Sequence, residues 1–379
     1  MVCNSFIESA GFMESAGAGS TGQRYNFAAG PAMLPAEVLG QIREELPDWQ
    51  GSGLSLLEQP FTGAPFKALM QQAEEDLRRL LAIPANYRVL FMHGGATCQF
   101  SLLPLNLLAP GQSADYLESG YWASKAIAEA RRHVPVKLVA SGASDGFRAI
   151  PPPEQWRLDP RTGYCHVTSN ETANGLQLQD FPALPVPLVA DMSSDFLTRP
   201  LPVERFGLIY ASAQKNLGVA GLCLLIVRDD LLKTPRPGLP SPFSYTLQAE
   251  QHSRLCTPPS FALYCAALML RWTLRQGGLT AIANSNERKS ELLYHCIDAS
   301  DFYHCPQQPA QRSPINICFQ LREPRLLALF LGEARQAGLL NLQGHAAVGG
   351  VRASLYNAMP LAGVKRLLAF MQGFERQHG

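Results

Sequence analysis

The stretch Arg88-Val-Leu-Phe-Met-His-Gly-Gly-Ala-Thr-Cys-Gln-Phe-Ser-Leu-Leu-Pro-Leu-Asn-Leu-Leu108 reads as a short apolar run, a glycine turn and a longer apolar run. Arg88–Met92 has the length and unbroken hydrophobicity of a strand buried on both faces, and Gln99–Leu108 has the length of a helix. The alternation continues outward. Strand-like Ala114–Leu117 precedes helical Ala123–Arg132, and strand-like Lys137–Val139, Tyr164–Thr168, Leu188–Asp191 and Leu208–Ala211 follow. Apolar strands interleaved with helices predict an α/β fold with a mostly parallel sheet between helices.

Beyond this region the pattern changes. Pro235–Pro242 reads as a loop, a helix runs from Leu263 to Arg275 after Pro258-Pro259, and Gly277-Gly278 predicts a break. An amphipathic helix over Ser285–Ile297, a strand over Asn316–Gln320, a helix over Arg325–Ala337 and a terminal helix from Pro360 predict a smaller α+β domain. The chain of 379 residues therefore divides into a flexible extension (1–24), a large domain (36–279) and a small domain built from 25–35 with 280–379.

A formal net charge of +1 with 17% charged and 46% hydrophobic residues points to neither disorder nor a nucleic-acid surface. The longest apolar stretches, Leu222–Val227 and Phe100–Leu108, are far shorter than the roughly 20 residues of a membrane-spanning helix. Nine scattered cysteines without a CxxC pair suggest reduced thiols, a cytoplasmic setting and no metal site.

Five features could carry chemistry. Lys215 follows the apolar run Gly207–Ala211 among small residues, with room for a flat cofactor; locally it could equally be an ordinary loop lysine. Asp191 ends the apolar run Val186–Asp191, where its carboxylate needs a cation unless it only caps a helix. The glycine turn at Gly94-Gly95 opens a helix and offers free N–H groups to a phosphate. Trp122 could stack on a ring, and Arg352 could clamp a carboxylate through two parallel hydrogen bonds. Lysine, carboxylate, phosphate cradle and stacking ring together suit pyridoxal 5′-phosphate.

The order of these features from Tyr25 onward resembles the phosphoserine aminotransferase family. The resemblance rests on Asn26–Pro35, Gly94–Phe100, Thr168–Gly175, Ala190–Ser194, Ala213–Asn216, Thr257–Phe261 and Arg352–Pro360. It implies a fold-type I pyridoxal-phosphate aminotransferase acting on an amino acid and a keto acid, usually as a homodimer with shared active sites. It further implies that Lys215 is the Schiff-base lysine, Asp191 the partner of the pyridinium nitrogen and Trp122 the stacking ring. Ala96, Thr97, Thr172 and Gln214 match positions holding the cofactor's phosphate or ring hydroxyl. Thr257 matches a residue reaching the phosphate from the partner subunit, and Arg352 the α-carboxylate clamp.

Two positions depart from the family pattern. Phe61 and Thr62 stand where a His-Arg pair is expected, and Ala346 follows His345 where the second such pair should end. These positions, with His345, belong to the family's site for the substrate's distal anionic group. Hydrogen bonds to charged groups are worth about 1.5–3 kcal/mol each, so loss of two arginines predicts a side-chain pocket refitted for a less anionic substrate. The alternative is a genuine phosphoserine:2-oxoglutarate aminotransferase of serine biosynthesis, with arginines elsewhere, such as Arg312 or Arg24, moving into the same space. Elimination, decarboxylation or β-replacement by the same cofactor, and a non-catalytic cofactor-binding role, remain alternatives at this level.

Overall fold

The computed structural model describes residues 23–233 and 236–379. The extension expected over 1–24 lies almost wholly outside the described residues.

The large sheet has seven strands in the order Tyr87–His93, Leu222–Arg228, Leu208–Ser212, Leu188–Asp191, Cys165–Thr168, Ala114–Glu118, Val136–Ser141. All run parallel except Leu222–Arg228, which pairs antiparallel with both neighbours. The exception follows from chain length. Segment 213–221 is too short for a crossover, so the chain must return beside the strand it has just left. Leu188–Asp191 and Leu208–Ser212 are buried along their whole length, and both sheet faces are covered. One face packs Phe91, Val167, Ala190 and Leu224 against the helices Ala64–Leu81 and Ser260–Arg275. The other packs Met92, Tyr116, Val189 and Tyr210 against Ala96–Leu107 and Tyr121–Ala130.

Several bounds differ from the sequence reading. The helix expected from Gln99 begins at Ala96, and the one expected from Ala123 begins at Tyr121. Helices Ala36–Glu45 and Ala64–Leu81 were not assigned from sequence. The expected break at Gly277-Gly278 is a tight turn: with φ of +94° and +75°, these glycines let a new helix start at once, spanning Gly278–Asp298.

A second core gathers Phe319, Val351, Phe330 and Phe374 around the antiparallel sheet Tyr303–His304, Asn316–Leu321 and Val351–Ser354. Tyr25 and Phe27 join it, because Tyr25–Asn26 pairs with Leu339–Leu340. Helix Gly278–Asp298 serves both cores: Leu279 packs in the large one, Leu293 and Ile297 in the small one. We propose the division into 36–279 and 25–35 with 280–379 on these two cores, with this helix as the shared element.

Candidate active site

The parallel strands end along one edge of the sheet, where ligands of open α/β sheets bind. Thr168, Asp191 and Ser212 end three adjacent strands and line a cavity of about 450 Å³ there. Gly94, Ala96 and Thr97 enter from the turn after Tyr87–His93, and Gly30 and Pro31 from the amino-terminal segment.

Lys215 sits in the loop after Leu208–Ser212, and its Nζ donates to Thr172 Oγ1 at 2.9 Å. Burial lowers its pKa to about 8; Asp191 opposes the shift and Arg352 adds to it. Asp191 is 5% exposed, and its Oδ1 accepts the Ser193 N–H at 2.9 Å. Burial holds its carboxyl above the usual range, partly offset by Ser193, Lys215 and Tyr210. A buried carboxylate in that condition is suited to a cationic ring nitrogen.

The helix Ala96–Leu107 points its amino end into the cavity, with Gly95 as its first flanking residue. The Ala96 N–H is taken by Ser212 Oγ at 2.8 Å. A Cβ on Gly95 would lie 2.9 Å from that oxygen, so the close approach needs glycine. Positive dipole and free N–H groups make this end an anion cradle.

Trp122 lines the cavity from the first turn of Tyr121–Ala130, and its buried Nε1 lacks a partner among the described residues. That turn is held from outside by Glu171, whose carboxylate accepts the N–H groups of Trp122 and Ala123 at 2.9 Å each and the Ser119 hydroxyl at 3.1 Å. Asn174 Oδ1 accepts the Tyr121 N–H at 2.9 Å. Glu171 is fully buried, which raises its pKa to about 7 despite these donors.

Arg352 lies behind Thr172, donating from Nη1 to the Thr172 carbonyl at 3.3 Å. His345 stands near the cavity mouth, its ring 4.2 Å from that of Tyr121 and 6.4 Å from that of Trp122.

The structure thus brings Ala96, Thr97, Trp122, Thr172, Asp191, Gln214 and Lys215 to one cavity, with Arg352 and His345 beside it. Phe61, Thr62 and Thr257 do not line the cavity. Phe61 instead packs against the large core, and Thr257 is exposed in the segment before Ser260–Arg275. Neither arginine considered as a replacement lines this chain's cavity. Arg312 is bound to Asp298 at 2.7 Å and lies over Tyr294, while Arg24 is exposed beside Gly338.

Sequence reasoning missed the support layer. Glu171 and Asn174 fall inside the quoted Thr168–Gly175 motif, but their partners lie about fifty positions earlier. His166 and Tyr210, joined at 2.9 Å beneath Asp191, gave no local signal. Burial pushes His166 down to about 3, so it is neutral there.

A mostly parallel sheet with this lysine, this aspartate and an anion cradle at the strand ends defines a fold-type I pyridoxal-phosphate transferase. The aminotransferase class-V family matches residues 24–367. A phosphoserine aminotransferase of Laribacter hongkongensis is 51% identical, with 94% of this chain and 99% of that protein covered. One from Nitrosomonas europaea is 49% identical over 93% and 99%. The solved phosphoserine aminotransferase of Bacillus circulans subsp. alkalophilus superimposes with a TM-score of 0.93 at 41% identity, covering 94% of this chain and 99% of that one. The chain belongs to the phosphoserine aminotransferase family of class-V aminotransferases and is a pyridoxal-phosphate-dependent transaminase.

Proposed function

We propose that the protein is a phosphoserine:2-oxoglutarate aminotransferase, working as a cytoplasmic homodimer. One observation carries the reading: Thr172 ties Lys215 to Arg352, its hydroxyl accepting from the lysine and its carbonyl from the guanidinium. That juxtaposition supports a proton-transferring role for the amine beside a carboxylate-clamping role for the guanidinium, the pair that amino-group transfer from an α-amino acid requires. Near-half identity over nearly full length to enzymes named phosphoserine aminotransferase supports the substrate. The homodimer accounts for Phe61, Thr62 and Thr257 lying outside the cavity of their own chain.

Pyridoxal 5′-phosphate supplies the conjugated electron sink that lets the Cα–H bond of the amino acid break. Asp191 would hold the ring nitrogen, Trp122 and the Thr172 and Gln214 side chains its faces and edge, and Ala96 and Thr97 its phosphate. Arg352 orients the α-carboxylate so that the Cα–H bond points at Lys215 Nζ. That amine, with its pKa lowered to about 8, takes the Cα proton as a general base near neutral pH.

The second reading, a less anionic substrate, rests on Phe61, Thr62 and Ala346 in place of the expected charges. Stopped-flow mixing of holoenzyme with single amino acids, following the cofactor's visible band, separates the two. Phosphoserine and glutamate are expected to discharge the band fastest. Discharge only by neutral amino acids would overturn the proposal in favour of the second reading.

A further inference from the structure

Two arginines are absent from the positions where the substrate's distal anion is expected, yet the cavity mouth is not without positive charge. Lys125 lies one turn into the helix Tyr121–Ala130, three residues beyond Trp122. Its Nζ stands 5.4 Å from the centre of the Tyr121 ring. His345 packs on that same ring at 4.2 Å, so lysine and imidazole share one aromatic platform beside Trp122. Lys125 is exposed and has no hydrogen bond or ion pair among the described residues. The acid one turn further on, Glu129, is engaged with Ser101 at 2.6 Å and with Arg132 and His133. Apart from its place over the Tyr121 ring, this lysine, one turn beyond the cavity-lining Trp122, carries a charge with no partner among the described residues.

His345 is prepared in the same sense. Its Nδ1 accepts the Ala347 N–H at 3.2 Å, which leaves Nε2 as the proton-bearing donor. Burial, then the nearby Arg352 and Lys125 charges, hold the His345 imidazole below its ordinary pKa, so it faces both cations as a neutral N–H donor. Ala346, exposed beside His345, contributes only a methyl where an arginine would have stood and leaves the approach to the lysine open.

We propose that Lys125, beside the His345 expected there from the family resemblance, receives the distal phosphate or carboxylate of the substrate, and so determines specificity in place of the arginines absent at positions 62 and 346. The inference rests on the phosphoserine aminotransferase reading above. A flexible ammonium accepts either a phosphate or a carboxylate without the fixed geometry of a guanidinium, which suits an enzyme alternating between phosphoserine and glutamate.

The test is substrate discrimination by the cofactor-loaded enzyme. Lys125→Met is expected to lower the ratio of kcat/KM for phosphoserine to that for alanine by about 10–100-fold, through KM, the loss of one charge-assisted contact. Lys125→Arg should restore most of the ratio, and Ala346→Arg should rescue Lys125→Met. Competitive inhibition by inorganic phosphate should weaken in Lys125→Met and be more salt-sensitive in the unsubstituted enzyme. A ratio moved less than about 2-fold, with phosphoserine still turned over, overturns the role of Lys125 and leaves the function intact. Failure of the unsubstituted enzyme to convert phosphoserine or glutamate overturns both.

Discussion

Gly120→Ala should damage the site without touching any residue that faces the cofactor. Gly120 flanks the first turn of Tyr121–Ala130, and a Cβ built on it lies 2.6 Å from Glu171 Cδ, 2.7 Å from Glu171 Cγ and 2.7 Å from Asn174 Oδ1. Side chains must therefore retreat by most of an ångström to reach ordinary contact. The side chains that retreat carry the acceptors of the Tyr121, Trp122 and Ala123 N–H groups, Asn174 Oδ1 and the two Glu171 carboxylate oxygens, each now at 2.9 Å. A bond lengthened that far is effectively lost, and Glu171 is too buried to find water instead. One to two such bonds, at about 1.5–3 kcal/mol for a carboxylate acceptor, give a loss of about 2–5 kcal/mol. Trp122 moves with the turn, so the cofactor dissociation constant should rise by about 10-fold or more. The paired control is Gly40→Ala in the helix Ala36–Glu45, where a Cβ meets nothing within 4 Å and a gain of about 0.5–1 kcal/mol is expected. Urea unfolding and cofactor titration of both variants make the comparison. Equal behaviour of the two alanines, or unchanged cofactor affinity in Gly120→Ala, would refute the reasoning.

Three further outcomes are expected. Lys215→Met should stabilise the cofactor-free protein by about 3 kcal/mol at neutral pH, because a lysine lowered from 10.5 to about 8 costs the fold that much while both states are protonated. The sign follows from proton counts: between about pH 8 and 10.5 the unfolded chain holds the extra proton, so unsubstituted stability rises with pH there and the variant's advantage disappears, as pH-dependent denaturant titrations will show. Arg352→Ala should raise KM for every α-amino acid by about 10–100-fold, neutral ones included, which separates it from Lys125→Met in the same steady-state assay. Lys289, whose ammonium donates to the Leu355, Tyr356 and Met359 carbonyls at 3.1–3.2 Å and whose pKa burial holds down to about 7, should make stability rise between about pH 7 and 10.5, and Lys289→Met should remove that part of the rise in urea titrations across the range.

The parts of the fold that were legible in the sequence are those whose signal is local. Leu188–Asp191 was read to the residue, since a fully buried strand must be apolar and the polar residue ending it is where the chain leaves the sheet. The helix Ala96–Leu107 was entered three residues late because its first turn, Ala-Thr-Cys, carries no apolar period. Helix Ala64–Leu81 was legible but unread: Phe66, Met70, Ala73, Leu77 and Leu81 recur at helical spacing among Gln, Glu and Arg. The residues expected on the cofactor side were picked out by chain order: Asp191 ends a strand, Ala96, Thr97 and Trp122 open helices, and Gln214 and Lys215 sit in the loop after Leu208–Ser212. Their supports were not, because Glu171 reaches the helix from 48 to 49 positions away and His166 reaches Tyr210 from 44. Arg312 and Arg24 show the opposite failure. Charge alone does not say where a side chain goes, and Asp298 has already claimed Arg312.

The two halves of the site are built on different physical terms. On the cofactor side, burial raises the Asp191 pKa and lowers that of Lys215, so each group alone is disfavoured in its charged form. Both costs would fall if a cationic ring nitrogen met the carboxylate and the amine were engaged, which would concentrate binding energy on these two residues. At the mouth, Lys125, His345 and Tyr121 are half-buried or exposed and belong to a helix start and a loop. A charge there can be relocated from one element to another without disturbing a core. On the proposed reading, Phe61, Thr62 and Ala346 in place of charges beside Asp191, Lys215 and Thr172 fit such a division: partners of a distal anion could move between elements, whereas groups buried at the strand ends could not.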